Sequence, residues 1–266
     1  MPGPHGPAFA LGEKRLIFTL TTGRSGTAWL ARALGAFAGV KSLHEPKPTF
    51  SSAYRAVLAQ PSVAREFWLE HKLPRIARHT QPVYAETSHV ACKGFLEALF
   101  ELGPRPDLIE LRREPRAVAA SLLALDTIPG RTLAGVKYYL SPWDGPGLRL
   151  PLEERAAREL SDYQLCYWYC LEMEARARAA RERFEPLGAR IVEARLERLA
   201  ASAEAVLALG RELDLPAPTA LGRRKLRLLA GRRVNEKPAK KRRELPPPEE
   251  LERMEAELRR RLAREA

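Results

Sequence analysis

The sequence predicts a single α/β domain with a mainly parallel central sheet and helices on both faces. Apolar, β-rich runs alternate with helical stretches along most of the chain, the pattern of strands joined by helical crossovers. One of those runs passes through a glycine-containing turn straight into an amphipathic helix. A chain of 266 residues with 45% hydrophobic content is also enough for one core of ordinary size.

Residues 1–13, opening Met-Pro-Gly-Pro-His-Gly-Pro, read as a flexible tail without the charged and apolar regions of a secretory signal. Residues 15–22 (RLIFTLTT) form a continuous apolar run and are expected as a buried central strand. Gly23 to Gly26 interrupt it, and 27–37 (TAWLARALGAF) have helical periodicity. Residues 40–44 suit a second short strand, stopped by Pro46, and 52–79 are mainly helical. A third strand is expected over 83–87, a helix over 93–100, a fourth strand over 108–111 and a helix over 115–124, with Pro115 tolerated in its first turn. Residues 127–151 are rich in Gly and Pro and hold Tyr138, Tyr139, Trp143 and Asp144. A loop of that length in a compact domain suits a lid, and these four side chains are candidates to line a pocket, although loop aromatics also pack onto cores. A long helix should fill much of 153–185, a fifth strand 189–194 and a helix 201–213. The domain is expected to span 14–246, with a charged terminal helix over 247–266 beyond Pro246, Pro247 and Pro248.

Charge is unevenly placed. Lys and Arg total 45 against 33 Asp and Glu, a net +12, which points to an anionic partner. Within 222–243 there are eleven Lys or Arg and one acidic residue, Glu236, so this window carries +10 of that +12. The charge therefore serves something local, and a protein that coats nucleic acid over its whole surface is disfavoured. Aromatics do not interleave with the basic residues, and no specific nucleic-acid motif is present. The three cysteines, Cys92, Cys166 and Cys170, cannot build a disulfide framework. Cys166 and Cys170 lie four apart on a helical stretch without a second metal-spaced pair, so buried core thiols are expected and no metal. No apolar run approaches the ~20 residues of a membrane span. Together these features suggest a soluble, cytoplasmic chain.

Thr22-Gly23-Arg24-Ser25-Gly26-Thr27, between a strand and a helix, has the layout of an anion cradle. Glycines let backbone approach the ligand, the first-turn N–H groups and helix dipole favour negative charge, and Arg24 offers a planar fork of donors. The nucleoside-triphosphate version needs Gly-x4-Gly-Lys-Ser/Thr. Here Thr21 replaces the first glycine, Thr27 the lysine, and Ala28 the magnesium-holding hydroxyl. These departures argue against ATP and Mg²⁺; an ordinary strand-to-helix turn is the other reading of the loop by itself.

The run from Gly23 through Thr27, Ala28, Trp29 and Leu30 resembles the 5′-phosphosulfate-binding loop of sulfotransferases that use 3′-phosphoadenosine 5′-phosphosulfate (PAPS), with Ala28 departing from the usual Ser or Thr. Arg113-Glu114-Pro115-Arg116-Ala117-Val118-Ala119-Ala120-Ser121 is similar to that family's 3′-phosphate motif, an Arg at a strand end followed eight residues on by a helical Ser. The placement also makes sense by itself, because the carboxyl edge of a parallel sheet is where its ligands bind. Arg112, Arg113 and Arg116 are neighbours, however, and any of them could instead be a solvated arginine. A weaker echo is Arg195-Leu196-Glu197-Arg198-Leu199, where the family often has Arg-Tyr-Glu-Asp-Leu and Leu196 replaces an aromatic. The resemblance runs over about residues 15–199 in element order and is specific in the two motifs.

The resemblance implies a P-loop NTPase-like sulfotransferase architecture with PAPS as co-substrate and no metal. The acceptor would be a small-molecule, carbohydrate or peptide hydroxyl, or an amine. Gly23, Arg24, Ser25, Gly26, Thr27, Ala28 and Trp29 would hold the 5′-phosphosulfate, with Arg24 neutralising it, and Arg113 and Ser121 the 3′-phosphate. Arg232, Arg233 and Asn235 in the basic window would fold over the nucleotide; a solvated charge run or a docking patch around Lys240 to Arg243 are the alternatives. By resemblance Glu45, in His44-Glu45-Pro46, is the general base. His89, in Glu86-Thr87-Ser88-His89, is the second candidate, one place later than the Lys-Thr-His of another branch of the family. Each also has a plain reading, Glu45 as a cap or surface carboxylate and His89 as a satisfied histidine. A P-loop-type nucleotide kinase or hydrolase, and a non-enzymatic anion-binding module, are the competing functions.

Overall fold

The structure is a computed structural model that describes residues 11–145, 147–231 and 243–265. Arg232, Arg233 and Asn235 lie outside the described residues. Five strands, β1 (Arg15–Thr21), β2 (Val40–His44), β3 (Val83–Thr87), β4 (Asp107–Arg112) and β5 (Ile191–Arg195), form one sheet in the order β2-β3-β1-β4-β5. Every neighbouring pair is parallel. The first half of the chain contributes helices α1 (Thr27–Leu34), α2 (Phe50–Ala59) and α3 (Val63–Glu66), the π-helical turn Phe67–Lys72, and helices α4 (Leu73–Ala77) and α5 (Phe95–Glu101). Helices α6 (Pro115–Ala124), α7 (Leu133–Tyr138), α8 (Glu154–Arg158) and α9 (Asp162–Phe184) follow β4. After β5 come α10 (Leu196–Ala201), α11 (Ala203–Glu212), α12 (Ala220–Leu229) and α13 (Pro248–Glu265).

The apolar run of β1 is central because both its faces are covered. Leu16, Phe18 and Leu20 enter a core shared with α2, α5, α6 and α9, whereas Ile17 enters a second core with α1, α11 and Leu226 of α12. Side-chain alternation along the strand thus feeds two layers of helices.

Three local features have clear causes. The long helix expected to fill much of 153–185 is α9, and it starts at Asp162 because Ser161 caps it and exchanges hydrogen bonds with Gln164 in a capping box. The 127–151 segment contains α7, started by the Thr132 side chain accepting from the Gly135 N–H. The basic window begins on α12, whose Thr219 cap and buried Leu226 fasten it to the domain. Helix α13 buries Leu251 and Leu258 in the larger core.

Candidate active site

Because all strands run the same way, the segments leaving β1, β2, β3 and β4 emerge along one edge of the sheet. The chain steps from β1 to β2 and β3 on one side and then to β4 and β5 on the other. The carboxyl end of β1 is therefore the switch point where such sheets bind ligands. Converging there are residues 22–26 after β1, Glu45 after β2, Ser88 and His89 after β3, and Arg113 after β4.

Left-handed backbone at Arg24 (φ 64°) and Gly26 (φ 87°) curls the loop into the conformation of an anion nest. Inside it, Thr21 Oγ1 lies 2.6 Å from both Ser25 Oγ and the Leu111 carbonyl, and Ser25 donates to the Thr22 carbonyl at 2.7 Å. The Ser25 side chain is fully buried and braces the loop, so an anion would meet its N–H rather than its hydroxyl. Helix α1 begins with no side-chain cap and no acidic residue in its first turn, leaving the positive end of its dipole to a ligand. The Trp29 indole is buried and donates to the Leu229 carbonyl at 3.3 Å, so its side chain packs α1 against α12. Leu196 lies over the loop, and a Cβ on Gly26 would come within 2.5 Å of it. The residue that replaces the family's aromatic is thus in contact with the first cradle.

The second motif meets the first directly. Arg24 Nε donates to Ser121 Oγ at 3.1 Å, and Arg113 Nη1 donates to the Arg24 carbonyl at 2.6 Å. The three neighbouring arginines are also sorted. Arg112 pairs with Glu110 and Glu193, and Arg116 reaches across to Glu252 and Glu255 of α13. Glu114 caps α6 by accepting from the Arg116 and Ala117 N–H groups. Of the three, it is Arg113 that touches the loop.

The two base candidates come together as well. Glu45 Oε1 lies 3.8 Å from His89 Nε2 and 3.5 Å from Ser88 Oγ, which donates to it. Glu45 holds a left-handed backbone (φ 44°), a conformation costly for a residue with a side chain and found where surrounding structure imposes it. The brace below is Lys72, whose Nζ donates to the carbonyls of Pro48 at 2.8 Å and Pro46 at 3.4 Å and to Glu86 Oε1 at 2.7 Å. Tyr84 donates to the other oxygen of Glu86 at 2.7 Å. His44 Nδ1 lies 3.0 Å from the Thr87 carbonyl.

Burial, then the nearby Lys93, His44 and Arg24 charges, holds the His89 pKa well below its ordinary value, so the imidazole is neutral at pH 7. Tyr139 from the 127–151 segment stacks on it, ring centres 5.3 Å apart, and also fills the space beside Gly23. That segment is clasped to α2 by Arg55, which pairs with Asp144 at 2.9 Å and donates to the Tyr139 carbonyl at 2.9 Å. Asp144 thus helps clasp the segment, and Trp143 packs against Gly130.

Sequence reasoning missed Lys72, Lys93, Arg55 and Tyr169, the last of which accepts from the Gly23 N–H at 3.0 Å. Lys72 and Lys93 did leave a trace, a lone lysine beside an apolar run, but nothing local indicates which groups they meet. The basic window divides. Its first part lies on α12, while Arg243 pairs with Asp126 at 2.8 Å and with Asp162. Among the described residues no group of three or more His, Cys, Asp or Glu is arranged to hold a metal, and no helix is long and apolar enough to cross a membrane.

No family model matches the sequence, and no curated protein matches it. Among solved structures, the chain is similar to the sulfotransferase domain from the curacin biosynthetic pathway. The TM-score is 0.51 at 16% identity, covering 79% of this chain and 76% of that one. The chain thus has the fold of a sulfotransferase domain.

Proposed function

We propose that this chain transfers a sulfuryl group from PAPS to a hydroxyl or amine acceptor, leaving adenosine 3′,5′-bisphosphate. The observation that carries the reading is the junction of the two cradles, Arg113 on the Arg24 carbonyl at 2.6 Å and Arg24 on Ser121 at 3.1 Å. A nucleotide bearing phosphates at both its 5′ and 3′ ends needs two linked anion sites, and this junction supplies them at the switch point. The donor set fits such a ligand. It comprises an uncapped helix start, the Arg24 guanidinium bonded to the helical Ser121 hydroxyl, and the Arg113 guanidinium on the Arg24 carbonyl.

PAPS supplies a sulfuryl group already bonded to a phosphate leaving group. Arg24 and the N–H groups of residues 24–27 neutralise the charge that develops on the 5′-phosphate as its bond to sulfur breaks. Arg113 and Ser121 hold the 3′-phosphate and so orient the far end of the nucleotide. Glu45 accepts the acceptor proton as the acceptor oxygen or nitrogen bonds to sulfur. His89, neutral and 3.8 Å away, steadies the carboxylate. Tyr139 and the clasped 127–151 segment form the wall that excludes water. The acceptor class is a small-molecule, carbohydrate or peptide nucleophile, the reaction needs no metal, and the chain works in the cytoplasm. Arg232, Arg233 and Asn235 would close over the nucleotide.

The test is a thermal-shift comparison of PAPS with ATP–Mg²⁺, followed by mass spectrometry of acceptors from a fractionated lysate. Stabilisation by PAPS and acceptors heavier by one sulfuryl group are expected. A large shift with ATP–Mg²⁺ and none with PAPS would replace this reading with a nucleotide kinase or hydrolase. Heparin binding that survives loss of Arg24 and Arg113, without turnover, would replace it with an anion-binding module.

A further inference from the structure

Lys93 is a fully buried lysine with no ion pair to a carboxylate among the described residues. Its Nζ lies 3.2 Å from His89 Nδ1 and donates to the Tyr138 carbonyl at 2.7 Å. The rings of Tyr54, Tyr139 and Tyr169 surround it, with centres 5.2, 5.5 and 4.9 Å from Nζ. A buried ammonium without a counter-charge is costly, and an apolar side chain of similar size would serve packing better. A lysine at this place therefore suits a task that needs a nitrogen donor.

We propose that Lys93 is a positioning residue that, with Tyr169, locks His89 in the tautomer carrying its proton on Nε2, so that Glu45 is left as the proton acceptor of the site. Two groups able to donate converge on Nδ1. One is Lys93 and the other is the Tyr169 hydroxyl at 3.5 Å. Tyr169 already accepts from the Gly23 N–H, and burial holds its hydroxyl protonated with a pKa well above ordinary, so its own hydrogen is directed to His89. A neutral imidazole that accepts at Nδ1 must carry its hydrogen on Nε2, the atom facing Glu45 at 3.8 Å. His89 then cannot take a proton at Nε2, and it orients Glu45 by donating toward it. The arrangement also links chemistry to nucleotide binding, because Tyr169 connects the Gly23 N–H of the phosphate loop to the same imidazole.

Burial draws the Lys93 pKa down to about 7, against the raising effect of Cys92 and Glu45 and with the lowering effect of Arg176 and Arg55. The charged groups facing His89 are Lys93, His44, Arg24 and Glu45, with Tyr139 and Tyr169 packed on the ring. As Lys93 takes its proton below pH 7 it opposes protonation of His89, which keeps the imidazole a neutral donor.

The catalytic part of this inference rests on the sulfuryl-transfer reading; the tautomer itself does not. Nitrogen-15 NMR of the labelled full chain reports the protonation of each imidazole nitrogen, and His89 is identified by the signal lost in His89→Gln. The unmodified protein, free of nucleotide, is expected to show His89 as the Nε2–H tautomer down to about pH 6. Lys93→Met should give a mixture of tautomers and an upward shift of the His89 titration. In an acceptor assay the same variant should lose about tenfold or more in kcat, with an altered acid limb and little change in KM for PAPS. A wild-type Nδ1–H tautomer, or a Lys93→Met spectrum unchanged at His89, overturns the proposal. The wild-type measurement needs no change at Lys93, so an Nδ1–H tautomer there overturns the proposal even if Lys93→Met does not fold. An Nε2–H tautomer in a chain that fails to bind PAPS would leave the positioning role standing and remove the transfer reaction.

Discussion

Replacing Lys72 by Met should destabilise the protein by about 3–5 kcal/mol at pH 8, the cost of stranding one member of a buried ion pair. Both side chains are almost wholly inaccessible, at 1% for Lys72 and 0% for Glu86, so solvent cannot screen the loss. All three protons of the ammonium are engaged, by Glu86, Pro48 and Pro46, and Met fills the stem while satisfying none of those acceptors. Glu86 would keep one donor, Tyr84. Burial already raises the Glu86 pKa against the lowering effect of Lys72, so without Lys72 it rises further. The unfolded carboxyl then ionises at lower pH than the folded one, and stability drains away as pH rises from the unfolded to the folded pKa. The variant should therefore be much closer to wild type near pH 4 than at pH 8. At about 2–4 °C per kcal/mol for a chain of this size, Tm should fall by roughly 10 °C at the higher pH. Urea titrations across that range measure the effect, and Lys72→Met combined with Glu86→Leu should recover most of it. A single variant equal to wild type at pH 8, or equally damaged at both pH values, would refute the reasoning that an unpaired buried carboxylate is what the mutation creates.

Glu45→Gln should cut turnover about a hundredfold while leaving adenosine 3′,5′-bisphosphate affinity unchanged, since it removes the proton acceptor and no nucleotide contact. Steady-state kinetics beside calorimetric titration separates the two. Arg113→Ala should weaken that affinity by about ten- to a hundredfold, the worth of a charge-assisted hydrogen bond. Arg116→Ala, which removes the links to Glu255 and Glu252, should lower Tm and leave affinity intact. Gly26→Ala should cost about 1–2 kcal/mol in urea denaturation, because φ 87° strains a residue with a Cβ. Adding Leu196→Ala should relieve the contact at 2.5 Å without recovering that backbone strain.

Much of this molecule is written locally. The run 15–22 joins Leu16, Ile17, Phe18 and Leu20 to β-forming threonines, so a buried central strand follows from its composition. The departures from Gly-x4-Gly-Lys-Ser/Thr at Thr21, Thr27 and Ala28 are equally local, as is the eight-residue spacing from Arg113 to Ser121, which sets a strand end against a helix. The caps by Ser161 and Thr132 are local too, and they set where α9 and α7 begin.

The sequence by itself thus determined the alternation of strands and helices, the parallel sheet and the two motifs after β1 and β4, because periodicity and motif spacing act over a few residues. Only the tertiary structure decided that the two motifs touch, that Arg113 rather than Arg112 or Arg116 reaches the loop, and that Glu45 and His89 form one cluster. Those outcomes depend on the strand order β2-β3-β1-β4-β5 and on contacts between residues 97, 89 and 146 positions apart, Arg24 with Ser121, Arg113 with Arg24 and Gly23 with Tyr169. The buried cations Lys72 and Lys93 show the same division. Their side chains are stable where they are only because burial removes water and distant carbonyls, rings and a carboxylate replace it, a balance that no window of neighbouring residues contains.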